Sequence, residues 1–335
     1  MKKILTILCL LMAAVLSLSS CGSEGTAFSG AYWNENFTPG AISKIDETLT
    51  YKVALADKTI YGSSLVSSSN IKIELDSGCS YTVNLKSSDD LSSYILTTTL
   101  VMNGNYVYDG GKYAFSGDTI VTVANFKSLS DKLMPTSSKR TVSCHTPLVM
   151  NPATEDQFCF LKYIIDIVYD GTDATTNIQP DDSCKDKFNL INNPLTYKKY
   201  NSDNYVDNEM MLFFFRAFDF DSSYSYNFSS IDALSEKLQS FTAKAVSTDK
   251  VPITLGTYRI NSKASSNEII NTFGIKLSVN GTFGGTVYEA YYAVNGTKDN
   301  STEIDNTNRH RPIKFYSPAI YNVAYYEMTL ATVDY

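Results

Sequence analysis

Apolar and polar residues alternate with a period of two through most of the chain beyond residue 50, and no other feature restricts the fold as much. Tyr51, Val53 and Leu55 share one face of an extended segment, as do Ile71, Ile73 and Leu75, and then Tyr81, Val83 and Leu85. Successive side chains of a strand point to opposite faces, so such triplets describe half-buried strands. Asn103-Gly104, Asn280-Gly281 and Asn295-Gly296 stand among β-favouring residues, and Asn-Gly supplies the positive φ angles of a tight hairpin turn. The pattern predicts hairpins over residues 94–108 and 275–294 and a last strand over residues 325–333.

Helix signals are sparse. In Ser229-Ser230-Ile231-Asp232 an acid follows a serine by three residues, a capping-box variant. Ile231, Leu234, Leu238 and Phe241 then fall on one helical face, which predicts a helix near 230–241. A second short helix is expected near 128–133, ahead of Pro135. Two stretches read as loops: 134–156, with Pro135, Pro147 and Pro152, and 171–208, rich in Asp, Asn, Thr and Lys. Unstructured connections longer than about 15 residues are uncommon inside a compact domain, so each marks a domain junction or a recognition loop. The fold class expected is mainly β with a few short helices (α+β), built from antiparallel sheets. Residues 31–155 form one β-rich region and 156–335 a second, either as two domains or as one continuous domain.

The N-terminus has a different character. Met1-Lys2-Lys3 precedes an apolar run over residues 4–16 and then Leu18-Ser19-Ser20-Cys21-Gly22, the three-part layout of a secretory signal peptide. The apolar run falls short of the roughly 20 residues that a bilayer-spanning helix needs. Leu18-Ser19-Ser20-Cys21 resembles the lipobox of bacterial lipoproteins. The resemblance implies removal of residues 1–20, a diacylglyceryl group on Cys21 with palmitate-type chains, and a location in the bacterial cell envelope outside the cytoplasm. Residues 21–30 then read as a small, polar, lipidated tether.

Composition narrows the partners. The chain holds 24 Tyr and 17 Phe with only 19% charged residues, a profile of strands rather than of helical enzymes. Net charge is −7, and loss of Lys2 and Lys3 leaves 26 basic residues against 35 acidic, a net of −9. That balance opposes nucleic-acid binding and docking on anionic lipid. Membrane attachment is expected through the N-terminal lipid.

Chemical motifs are few. Beyond Cys9 and Cys21, the cysteines Cys79, Cys144, Cys159 and Cys184 are spaced by 65, 15 and 25 residues, which matches no zinc pattern. Export permits disulfides. Cys144 and Cys159 flank one proline-containing loop and are the first candidate pair, with free thiols as the alternative. No catalytic residue, cofactor or metal is assigned: the only histidines are His145 and His310, neither in a recognisable nucleophile setting, and His145 follows Cys144 in a strand pattern that points the two side chains to opposite faces. Asp219 and Asp221 share a strand face and suit an envelope hydrolase or a polar strand edge.

Candidate ligand contacts are aromatic or basic. Met210-Met211-Leu212-Phe213-Phe214-Phe215, followed by Arg216, Phe218 and Phe220, is the most apolar stretch after the N-terminus and reads as core or as the wall of an apolar pocket. Phe213, Phe215 and Phe218 are the candidates there. Tyr292 and Tyr326, each in a tyrosine pair, suit stacking on a sugar ring. Arg309 and Arg311 suit a carboxylate, phosphate or sulfated sugar, or else a solvated loop. In architecture the strand-rich pattern with one helix looks like the half-open barrel of the LolA/LolB-like lipid-handling lipoproteins, rather than a β-sandwich. The expected function is that of a non-enzymatic lipoprotein that binds an apolar or amphipathic, lipid-like ligand. The alternative is a cell-surface carbohydrate- or protein-binding module.

Overall fold

A computed structural model of the chain describes residues 46–56, 71–90, 92–108, 110–128, 133–147, 158–189, 191–198, 205–217, 225–279, 286–294, 310–318 and 324–335. These fold as a mainly β protein. In the first half run β1 (Asp46–Leu55), β2 (Lys72–Leu75), β3 (Ser80–Ser87), β4 (Tyr94–Tyr108), β5 (Gly111–Ser128), β6 (Leu133–Pro147), β7 (Phe158–Asp170), β8 (Asp173–Pro180) and β9 (Leu195–Tyr197). In the second run β10 (Ser225–Asp232), β11 (Lys237–Ala245), β12 (Val251–Thr254), β13 (Thr257–Ile260), β14 (Lys263–Ser266), β15 (Ile269–Val279), β16 (Thr286–Ala293), β17 (Pro312–Pro318) and β18 (Tyr325–Asp334). Between the halves lies a single turn of α-helix, α1 (Met211–Phe214), flanked by 3-10 turns over Asn208–Met210 and Phe215–Ala217.

All these strands belong to one sheet. From β1 a ladder runs outward through β3, β4, β5, β6, β7 and β8 to β9, every pair antiparallel. On its other side β1 pairs with β18, and the ladder continues through β17, β16, β15 and β11 to β10. The first and last described strands therefore meet in the middle, with one wing on either side. The sheet is antiparallel, apart from a short parallel pairing of β13 with β18, and not closed, in keeping with the expected class.

The inner face is set by alternation. Glu47, Leu85, Leu96, Ala124, Ser138, Ile167 and Thr176 stand opposite one another in a row across seven strands, all buried. The next row reads Leu49, Val83, Thr98, Thr122, Arg140, Ile165 and Ile178, and the one after it Tyr51, Tyr81, Leu100, Ile120, Val142 and Tyr163. From the other wing Phe315 packs edge-on against Tyr51 and Tyr81 at 5.1 and 5.4 Å between centroids. Inner residues of both wings and of α1 form one hydrophobic core. The sheet also runs from β6 to β7 without interruption, so the possible junction near 150–160 falls between paired strands.

Three expectations are corrected. Residues 230–241 are not helical: they are the end of β10, a turn and the start of β11. The true pairing puts Phe228 opposite Phe241, their rings stacked at 5.3 Å, whereas Leu234 and Leu238 of the supposed helical face are 42% and 49% exposed. Asp232 accepts from Ser235 N and Oγ, so the capping signal serves a turn instead. Second, Asn103-Gly104 is no hairpin turn, because Tyr94–Tyr108 is a single strand with a bulge between Met102 and Gly104. Third, much of the stretches read as loops, 134–156 and 171–208, is regular structure: β6 covers 134–147 of the first, whose residues 148–156 lie outside the described residues, and β8, a 3-10 turn over Asp182–Phe188 and β9 cover parts of the second. Of the helix expected near 128–133, residues 129–132 lie outside the described residues; Ser128 ends β5 and Leu133 begins β6.

Candidate functional site

Residues 205–216 lie between the two wings and touch both. Val206 N donates to Ser229 O of β10 at 2.9 Å, while on the other side Asp207 reaches β6 and β7. The Asp207 carboxylate accepts from Ser138 Oγ at 2.7 Å and from Tyr169 OH, whose oxygen is also 2.7 Å from Tyr205 OH. Asp207 also caps the 3-10 turn, accepting from Glu209 N at 2.8 Å. Burial, reinforced by the Glu209 charge, pushes its carboxyl up to about 6.

The six apolar residues 210–215 that follow are all buried. Phe215 meets Phe228 of β10 and Tyr292 of β16 edge-on, and Tyr292 OH donates to Leu212 O at 2.5 Å. Immediately afterwards Arg216 turns to β1. Its Nη1 donates to Glu47 Oε1 at 2.8 Å, and Arg311 Nε donates to Glu47 Oε2 at 2.5 Å. All three side chains are buried. Burial raises the Glu47 pKa, but the two guanidiniums outweigh it and hold the carboxylate at about 2. Removing one member of a buried ion pair costs about 3–5 kcal/mol, so this triad clasps the apolar segment to the central strand. His310 supports it. Its Nδ1 lies 3.1 Å from the Arg216 carbonyl, which only accepts, so Nδ1 carries the proton.

Beside this filled region, the inner face of β3 to β6 is incompletely covered, and this opening is termed the recess. Arg140 and Tyr81 stand in adjacent inner rows, with Ile120 beyond them. Burial pushes the Tyr81 hydroxyl up to about 12. Yet Tyr81, Ile120 and Arg140 keep intermediate exposure, 32% for the Arg140 side chain. Inward-facing groups still reached by water leave an opening in the cover of this face. Its floor is polar: Thr98 Oγ1 and Thr122 Oγ1 are 2.6 Å apart. Glu209, on the 3-10 turn before α1, forms one rim and lies 3.7 Å from Arg140 Nη1, too far for a hydrogen bond. Arg140 Nε is buried with no hydrogen-bond partner. An unsatisfied buried donor costs about 1–3 kcal/mol.

A second polar cluster sits at the end of the same wing. Asp118, 1% exposed, accepts from the His145 backbone N at 2.7 Å, and its other oxygen lies 2.7 Å from His145 Nδ1. Phe160 packs on the imidazole at 4.9 Å, and Tyr106 OH donates to His145 O. The neighbouring Cys144 is a free thiol inside the core, its Sγ 3.4 Å from Thr119 O. Burial pushes it up to about 12, so it is protonated at neutral pH and a poor nucleophile. The candidate disulfide is not formed by Cys144: the register sets Leu161 opposite it and Cys159 opposite Thr146.

Of the residues singled out by sequence, Phe213, Phe215 and Tyr292 are brought together, but as closed packing. Tyr326 is 3% exposed on β18, away from them, and Tyr292 is 0% exposed, so neither offers a face for surface sugar stacking. Arg311 belongs to the buried triad and not to a solvated loop. Cys21, Phe218, Arg309, Asp219 and Asp221 lie outside the described residues. Sequence reasoning missed Glu47, Arg140 and Asp207. For Arg140 the signal was present, since Ser138, Arg140, Val142 and Cys144 alternate as an inward strand face, but the prolines nearby led to a loop reading. Among the described residues no group of three or more His, Cys, Asp and Glu side chains is placed to hold a metal, and no helix is long and apolar enough to cross a membrane. No family model matches the chain, and no curated protein or solved structure is detectably similar to it.

Proposed function

We propose that the chain is a lipid-anchored protein of the bacterial envelope, held by Cys21, that binds an apolar or amphipathic, lipid-like ligand and performs no catalysis. The observation that carries the binding reading is the recess at Tyr81, Ile120 and Arg140 beside the segment 210–215. That segment owes its position to side-chain burial, a clasp at each end and one backbone bridge, since a single helical turn has little stability of its own. Methionine and phenylalanine side chains repack readily around an apolar guest, so the segment can yield space where it borders the recess. The thiol that neighbours His145 is protonated inside the core, and His310 is buried against the Arg216 carbonyl, which supports binding over hydrolysis.

The test uses the chain from residue 22, which retains every described residue. Produced in bacteria and purified without detergent, it should release lipid on organic extraction and show a bound species in native mass spectrometry. A chain that carries nothing and takes up no added fatty acid would overturn the reading in favour of a surface recognition module.

A further inference from the structure

We infer that the recess between β3 and β6 is an oxyanion-binding subsite in which Arg140 receives the carboxylate or phosphate head of an amphipathic ligand, with the chain of that ligand lying over Ile120 towards Met210. The inference rests on the lipid-like reading for the ligand's apolar part and on Arg140 alone for its head.

Four features converge on Arg140. It projects from the middle of β6 onto an inner face whose neighbouring positions are threonine and isoleucine: Thr122 stands opposite on β5 and Ile165 on β7. A guanidinium there is out of place as mere packing, because arginine is seldom put among such residues without a partner. Its nearest anion, Glu209, stays 3.7 Å from Nη1 and spends one oxygen on Asn208 Nδ2 at 3.1 Å, so the ion pair lacks a short hydrogen bond. Nε has no acceptor among the described residues. A planar guanidinium engages a carboxylate or phosphate through two parallel N–H bonds, and an oxyanion arriving through the wet side of the recess would satisfy Nε by this geometry. The Thr98 and Thr122 hydroxyls and the Tyr81 phenol stand around the same opening. Asn208–Met210 crosses β5 and β6, so the rim that carries Glu209 leads directly into the apolar segment. Polar head and apolar path are thus contiguous.

The experiment titrates the chain from residue 22 with decanoate, 1-decanol and inorganic phosphate by calorimetry, in wild type and in Arg140→Gln and Arg140→Lys. Wild type should bind decanoate at least tenfold more tightly than decanol. Arg140→Gln should erase that preference and leave decanol affinity unchanged, and Arg140→Lys should keep only part of it because the fork is lost. Thermal melts of both variants establish that they fold. Equal affinity for decanoate and decanol in wild type, or a preference that survives Arg140→Gln, overturns the subsite while leaving the lipid-like reading intact. Conversely, phosphate binding that needs Arg140, with no gain from the decyl chain, upholds the anion site and removes the lipid-like reading. Failure of all three probes to bind wild type overturns both.

Discussion

Glu47 and Asp207 are both fully buried carboxylates, yet their surroundings drive them in opposite directions. At Glu47 burial favours the protonated form, but Arg216 and Arg311 prevail and lower the pKa from 4.5 to about 2. The unfolded chain therefore takes up this proton first, and the stability that the triad lends above about pH 4.5 is lost as pH falls towards 2. At Asp207 burial and the Glu209 charge prevail over the hydrogen bonds from Tyr169 and Ser138, and raise the pKa from 3.8 to about 6. Here the folded chain holds its proton longer, so stability falls as pH rises from 3.8 to about 6 and stays lower beyond. From these two groups, stability should peak between about pH 4 and 5. Urea midpoints taken from about pH 3.5 to 8 should show the alkaline decline in wild type and a flat limb in Asp207→Asn. Since one pKa unit is worth about 1.4 kcal/mol and the shift spans about two units, the variant should be the more stable at neutral pH by about 3 kcal/mol. A variant whose profile runs parallel to wild type would show that Asp207 is not the group responsible.

Among elements, β4 shows both what the sequence discloses and what it conceals. Asn103-Gly104 advertises a special backbone position, and the position is special for a reason of packing. A Cβ on Gly104 would lie 2.2 Å from the Glu74 carbonyl oxygen of β2 and 3.0 Å from the Phe115 ring. Asn103 Oδ1 meanwhile accepts from Gly117 N at 2.9 Å, tying the bulge to β5. Gly104→Ala should therefore detach β2 while β3 stays paired. The expected cost is about 1–3 kcal/mol, the range for forced overpacking, read as a lower urea midpoint. Faster amide exchange should be confined to Lys72–Leu75 and its partners on β4; uniform acceleration across the sheet would contradict this. A hairpin signal and a bulge signal use the same residues, and only the length of the partner strand separates them. The same ambiguity misled the reading of residues 230–241: Ile231 and Phe241 are buried under either period, and Leu234 and Leu238 decide the matter only once their exposure is known. Alternation over Tyr81, Val83 and Leu85 was legible because it is local, and both Val83 and Leu85 are buried as expected. The recess was not, since it depends on Arg140 meeting Tyr81 from a strand 59 positions away in sequence and Glu209 from a turn beyond β9.

At the scale of the whole molecule, β1 and β18 pair at the centre, so both wings hang from the strand nearest the N-terminal segment, and the described chain is one body around one core. If such a body handles amphiphiles at a membrane, as proposed, an anchor on the N-terminal segment would hold it there. With the proposed loss of Lys2 and Lys3 the net charge would be −9, which repels anionic lipid, and among the described residues no helix is long and apolar enough to cross a membrane. A diacylglyceryl group answers both points, because each buried methylene contributes about 0.8 kcal/mol and two chains hold where one holds only marginally. The attachment is therefore expected to resist salt and to depend on one sulfur atom. Cells fed labelled palmitate should incorporate the label into the wild-type chain, which should stay with membranes through a high-salt wash, and its N-terminal peptide should begin at Cys21 with the added mass of the lipid. Cys21→Ala should take up no label and yield no such peptide. Label retained by that variant, or a wild-type N-terminal peptide without lipid, would place the anchor elsewhere, and the recess at Arg140 would then have to be filled by a protein that is not held at the membrane by Cys21.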